Sequence, residues 1–315
     1  MHSLQPLLAS FVPIWVLTAV GYLVSRTGLL GEQAEAVLGK FVFHVAMPAA
    51  LFTMLAKAPL RTFANSSMLA FAAGTLVASL LGWGGARWLF GRRPADQAIS
   101  GMAAGYVNSA NLGIPVAVQV LGDASFVGPV LLFQVLLVTP VILGALDAGT
   151  STEPGNRLAR MLRLPLRNPI IMASTLGVAC SAAGWHLPPA LGHSFELLGG
   201  AGVPTALITL GMSLHARPSA TAEGGVLRAE LGLSVLTKNM VQPLVAFAVG
   251  SLLLHLTAHQ LLAVVICSAL PTAQNVFVYA RQYGVSTALP RDSVLWSTLV
   301  SMVTLSGIDW AMTAH

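Results

Sequence analysis

The chain has 315 residues, of which 55% are hydrophobic and only 9% charged, with a formal net charge of +5. A soluble domain carries about 25% charged residues, so this composition excludes a water-facing globular surface. The basic excess does not point to nucleic acid, because the few charges sit between long apolar runs.

A helix needs about 20 consecutive, mostly apolar residues to cross a bilayer. Runs of that kind predict five spans in the first half, at 4–25, 34–56, 66–90, 98–121 and 124–146. Five more follow at 168–187, 190–214, 227–255, 260–282 and 289–312. The first run is too long for a removed signal peptide and lacks a small-residue cleavage pattern. The longest polar stretch, 147–167, acts as a linker between a first unit, 1–146, and a second, 168–315. The fold expected is all-α and integral to the membrane, with ten spans.

The charges orient these spans. With the N-terminus outside, the loops after odd-numbered spans hold twelve arginines, four of them (Arg157, Arg160, Arg163 and Arg167) in the linker. The opposite side holds only Lys57 and Arg61. Lys and Arg are enriched on the cytoplasmic side, so both termini are expected to be extracytoplasmic, in a cell (inner or plasma) membrane. Five spans per half is an odd number, so related halves must lie in opposite orientations, as in many secondary transporters. Short echoes support a relation: Pro48 in Met47–Thr53 matches Pro204 in Val203–Thr209, and Val107–Asn111 matches Pro271–Asn275.

Two spans carry helix breakers beside uncharged polar groups. In the fourth span, Gly105–Pro115 includes Asn108, Asn111, Gly113 and Pro115. In the ninth, Leu270–Asn275 includes Pro271, Thr272, Gln274 and Asn275. A broken helix exposes N–H groups and a positive dipole end, which suits an anion such as a carboxylate. The competing reading is a proline kink with polar residues gluing helices together. Matching breaks in both halves favour a substrate site.

Lys238 falls inside the eighth span, where a charge is expensive and usually functional. It suits charge compensation for an anion, a titrating coupling group, or a fixed cation where other carriers bind sodium; snorkelling is the alternative. Lys40 lies nearer a span end and is expected to snorkel. His44 is a candidate for proton coupling, weighed against a histidine simply satisfied by its neighbours. Glu230 and Asp309 lie near span ends and Glu196 early in span seven, so no carboxylate relay is evident. Cys180 and Cys267 sit in apolar runs without metal or redox spacing. No metal, cofactor or catalytic constellation is expected.

These motifs resemble the auxin efflux carrier family, which includes plant carriers and malonate-transporter-like bacterial members. The resemblance rests on Gly21-Tyr22-Leu23 with Thr27–Leu30, Met47–Phe52, Asn108 with Gly113-Ile114-Pro115, Thr209–Met212, and Leu270-Pro271 with Phe277–Val285. It implies a bile-acid-symporter-like fold of two inverted five-helix repeats, with helices four and nine crossing at their breaks. It also implies a substrate site at the crossing, with Asn108 meeting a carboxylate. Helices one, two, six and seven would form a scaffold and homodimer interface, and helices three to five and eight to ten a core moving as an elevator. Lys238 stands where plant members carry an arginine. Val107 stands where they place a proline; Pro271 keeps it in the second half. The implied function is secondary transport of a small organic anion, a mono- or dicarboxylate, driven by protons or membrane potential. A sodium-coupled symporter is the alternative, and a membrane-embedded enzyme or sensor is a remote third.

Overall fold

The computed structural model describes residues 12–57, 65–122, 125–150, 168–185, 187–215 and 228–313. Arg61, Arg217 and the linker arginines lie outside the described residues, as does 151–167 of the polar stretch.

The described residues are helical, apart from short connections. In chain order the helices are α1 (Val12–Thr27), α2 (Ala34–Lys57), α3 (Ser66–Leu89), α4 (Pro94–Gly105) and α5 (Ile114–Leu121). They continue with α6 (Val127–Thr150), α7 (Pro169–Ala183), α8 (Pro189–Ser213) and α9 (Arg228–Leu253). The last are α10 (Ala258–Ala269), α11 (Asn275–Gln282) and α12 (Ala288–Thr313). Five of them, α2, α3, α6, α8 and α9, are long and apolar enough to cross a membrane. The fourth predicted span appears as α4 and α5 and the ninth as α10 and α11, each interrupted at its Gly/Pro/Asn segment. Helix α6 runs to Thr150, so it takes up the first four residues of the stretch read as a linker.

Local chemistry sets the ends. Asn65 caps α3 by accepting from Met68 N at 2.9 Å, and Thr257 and Gln260 form a reciprocal capping box on α10. Pro94 and Pro169 start α4 and α7 at positions whose N–H has no helical partner. Prolines inside the helices act differently. Widened π-turns at Val42–Ala46, Ser109–Gly113, Gln134–Val138 and Thr237–Val241 each end two residues before a proline: Pro48, Pro115, Pro140 and Pro243. A proline ring clashes with the carbonyl four residues back and donates no hydrogen bond, and an extra residue in the turn relieves both.

Backbone marks recur in the two halves. The π-turn Gly85–Leu89 closing α3 and Val249–Leu253 closing α9 are each followed by a left-handed residue, Gly91 (φ +59°) and His255 (φ +46°). Each then leads into a twelve-residue helix ending at a break, α4 or α10. Gly28 (φ +66°) after α1 matches Gly184 (φ +64°) after α7, and Gly122 (φ +77°) after α5 matches Gly284 (φ +64°) after α11.

Packing separates two groups. Helix α8 lies along α1, and α7 along α2, with α8 also against α2. The approaches are close: a Cβ on Gly21 would fall 2.1 Å from Ile208 O, and one on Gly177 would fall 2.8 Å from Phe52 O. Helices α3, α4, α6, α9, α10 and α12 pack among themselves. Two main apolar clusters flank the breaks. One gathers Val116 and Ala117 of α5 with Ala263, Val264 and Ile266 of α10. The other gathers Ile99 and Met102 of α4 with Val276 and Tyr279 of α11.

Candidate functional site at the crossing of two broken helices

The breaks meet. Val107 and Thr272 form an isolated antiparallel pair, the only such pairing among the described residues. Asn108 N donates to Pro271 O at 2.8 Å, and Ala273 N to Tyr106 O at 3.1 Å. Thr272 N donates to Ser297 Oγ at 2.9 Å, and its hydroxyl to Ala103 O at 2.7 Å. Backbone groups freed by the breaks thus find partners, which an apolar interior demands.

Four helix ends converge here. The C-terminal carbonyls of α4 and α10 point into α9, where Lys238 and Gln242 are fully buried. Lys238 Nζ donates to Ser268 O at 2.8 Å and to Gln242 Oε1 at 2.7 Å. Gln242 Nε2 in turn donates to Gly105 O and Thr75 Oγ1, both at 3.1 Å. One lysine side chain therefore meets the carbonyl ends of both half-helices, directly and through an amide.

The other two ends are N-termini: the π-turn from Ser109 leading into α5, and α11 from Asn275. Their first N–H groups lack helical acceptors and present partial positive charge. Asn108 Oδ1, Asn111 Nδ2 and Gln274 Oε1 are buried there without a hydrogen-bond partner. Asn108 and Gln274 are 2% and 3% exposed, whereas Asn111 and Asn275 are half-buried beside exposed Ala110, so the cluster has an open edge. Unpaired buried amides cost about 1–3 kcal/mol each, and a bound ligand is one way to recover that cost. Ser268 Oγ and Asn239 Oδ1, flanking Lys238, are unpaired as well.

The structure therefore brings Asn108, Asn111, Pro271, Thr272, Gln274, Asn275 and Lys238 together. Gly113 is buried, with its Cα face close against Val127, where an added Cβ would lie 2.9 Å from Cγ1. Pro115 sits in the first turn of α5; its side chain lies outside what is described. His44 stands apart on α2: it is exposed, its Nδ1 lies 3.0 Å from Lys40 O, and its ring meets Phe43 edge-on.

Several residues at the site carry no motif. Gln134 of α6 is 1% exposed; its Nε2 donates to Val107 O at 2.9 Å and its Oε1 accepts from Ser109 Oγ. Tyr106 OH meets Thr139 Oγ1 at 3.0 Å. The available signal was a polar residue isolated in an apolar span, as at Gln134 and Gln242. Glu230, read as lying near a span end, is 4% exposed and paired with Arg92, whose Nε lies 3.0 Å from Oε2. That pair lines a small surface concavity with Asp96, Ser100 and Ser286. With two carboxylates against one guanidinium, this concavity is the wrong environment for an anion. Arg281 of α11 pairs with Glu35 of α2, and Arg291 Nη1 of α12 donates to Ser213 O of α8 at 3.2 Å.

Comparison with known proteins matches residues 6–308 to the family described as membrane transport protein. A relative in Rhizobium meliloti (strain 1021), named "Putative malonate transporter", is 28% identical over 308 residues, covering 94% of this chain and 93% of that protein. The uncharacterized transporter YfdV of Escherichia coli (strain K12) is 25% identical, covering 94% and 95%. Auxin efflux carrier component 3a of rice (Oryza sativa subsp. japonica) is 28% identical over 169 residues, which is 50% of this chain and 27% of the carrier.

Proposed function

Because the chain belongs to the auxin efflux carrier family of membrane transport proteins, a multi-pass membrane family and not one of enzymes, we propose that it is a secondary transporter of a small organic anion. The substrate class is a mono- or dicarboxylate, in keeping with the malonate named for one relative. The observation that carries this reading is three amide atoms buried without a partner, Asn108 Oδ1, Asn111 Nδ2 and Gln274 Oε1, set between two helix N-termini. In this reading the amides turn their NH₂ groups to a carboxylate, and the two N-termini supply partial positive charge.

Lys238 plays the complementary part. In this reading the carbonyl end of α10 meets its ammonium and that of α4 is joined to it through Gln242, so the crossing carries its own fixed cation. That favours an anion carrier driven by protons or membrane potential over the sodium-coupled alternative.

Ten membrane crossings in two inverted halves fit the recurring marks at Gly28/Gly184, Gly91/His255 and Gly122/Gly284. Inversion places α4 and α11 toward the cytoplasm, with both termini outside in a cell (inner) membrane. The tight pairing of α1 with α8 and of α2 with α7 supports a scaffold of those four helices. The remaining helices form the core that carries the crossing, and moving it past the scaffold gives elevator-type alternating access. Apolar side chains exposed on α1, α7 and α8, including Val16, Val20, Leu176 and Leu197, suit lipid and a homodimer contact.

Binding to the folded state raises apparent stability, increasingly as ligand concentration exceeds Kd. A thermal-shift series of the purified protein with mono- and dicarboxylates, with and without sodium, is therefore expected to give sodium-independent stabilisation by at least one carboxylate. Stabilisation that requires sodium, or none by any carboxylate across pH 5–8, contradicts the proposal.

A further inference from the structure

Val107 and Pro271 hold matching places in the two breaks, each following the last residues of a twelve-residue helix. Proline fixes its own φ near −65° and so stiffens the second break. Valine supplies no such constraint, yet the first break carries Asn108, whose side-chain oxygen is buried and unpaired. A turn that presents an unpaired amide needs fixing from elsewhere.

Gln134 is where that fixing comes from. Its one carboxamide grips both neighbours of Asn108, donating to Val107 O at 2.9 Å and accepting from the Ser109 hydroxyl. Ser109 N also donates to Val107 O at 2.9 Å, so the clamp closes a tight ring of hydrogen bonds around the turn. The clamp needs a donor and an acceptor on one planar group, which methionine and leucine lack. The π-turn before Pro140 carries Gln134 in α6, and Gln134 is 1% exposed.

We propose that Gln134 is a positioning residue for the anion site, holding the Val107–Ser109 turn in place of the proline constraint found at Pro271. The inference rests on the site reading above for its functional meaning. Tyr106 has φ −90° and ψ 108°, an extended backbone of the kind favoured before a proline, which makes Val107→Pro the rescuing substitution of choice.

The test is hydrogen–deuterium exchange of the full chain in lipid nanodiscs, followed in peptides covering residues 104–113. Gln134→Leu is expected to speed exchange there at least tenfold, with peptides of α1, α2, α7 and α8 unchanged. Adding Val107→Pro to Gln134→Leu is expected to restore slow exchange at Asn108 and Ser109. Should the leucine variant not fold, Gln134→Met keeps the side-chain length but loses both the donor and the acceptor, and the same acceleration and rescue are expected. Unchanged exchange in either variant, or acceleration that Val107→Pro does not reverse, overturns the proposal. Asn108→Ala keeps wild-type exchange in this region if the turn is held by Gln134. Carboxylate binding retained by Asn108→Ala would sink the site assignment while leaving the exchange result for Gln134 intact.

Discussion

Lys238 and Gln242, one helical turn apart on α9, join the carbonyl ends of the two broken helices: Lys238 reaches Ser268 O at 2.8 Å and Gln242 reaches Gly105 O at 3.1 Å. Removing the ammonium leaves Ser268 O and Gln242 Oε1 without their donor in a fully buried place. Each orphaned acceptor costs about 1–3 kcal/mol. Lys238→Met is therefore expected to lower the thermal unfolding midpoint strongly in matched detergent, and Lys238→Arg, which keeps the charge, to lower it less. Equal midpoints for Lys238→Met and wild type would remove the compensating role.

The matched residues Gly91 and His255 make a second prediction. Both have φ between +40° and +60°, a region that costs a non-glycine residue about 1–2 kcal/mol. Gly91→Val is expected to destabilise by about that much or more. His255→Gly should be neutral within about 1 kcal/mol, because relief of strain offsets the greater freedom of the unfolded chain. Unfolding midpoints of the two variants, measured side by side, check the asymmetry.

Close packing of α1 on α8 leaves no room for a methyl group at Gly21, where a Cβ would sit 2.1 Å from Ile208 O. Gly21→Ala must push the helices apart and is expected to cost more than about 2 kcal/mol, within the range for overpacked interiors. Gly192 on α8 has nothing within 4 Å of its Cβ direction, so Gly192→Ala is expected to be neutral or stabilising by about 1 kcal/mol. Monodispersity after heating separates the two outcomes.

Arg281 connects the proposed moving core to the scaffold. It pairs with Glu35, and its Cδ lies 3.1 Å from where a Cβ on Gly39 would stand, with Thr209 Cγ2 at 3.9 Å from that point. Partly exposed ion pairs add little stability, about 1 kcal/mol or less, so Glu35→Gln is expected to leave the unfolding midpoint nearly unchanged. Its effect is expected on motion: Thr209, 1% exposed in this arrangement, is expected to open when Arg281 lets go. Thr209→Cys, with Cys180 and Cys267 replaced by alanine, is expected to react several-fold faster with a maleimide in the Glu35→Gln background. Equal rates would show that the pair does not hold the two groups together.

Much of this was legible in the sequence, for reasons that differ from place to place. The helix ranges follow from run length and apolarity, local properties that a bilayer solvent enforces. The breaks at Asn108 and Pro271 announced themselves through clustered helix breakers and amides at mid-span. Lys238 stood out because a charge in an apolar run needs a reason. What distant parts of the chain do to each other was hidden. Nothing local says that Val107 pairs with Thr272, or that Gln134 clamps a turn more than twenty residues earlier. His44 was singled out for its titration range, but its placement depends on which face of α2 turns outward. The four π-turns were visible in principle, since each precedes a proline, yet only the structure shows that the ring is accommodated by a wider turn and not by a kink.

The most direct test of the central claim is carboxylate uptake into proteoliposomes by wild type and Asn108→Ala, with folding checked by unfolding midpoint. Asn108 Oδ1 has no partner within the protein, so the alanine variant is expected to fold with wild-type stability or better. Its uptake of the carboxylate that stabilises the wild type is expected to fall at least tenfold. A folded Asn108→Ala protein that transports at the wild-type rate would contradict a substrate site at the crossing.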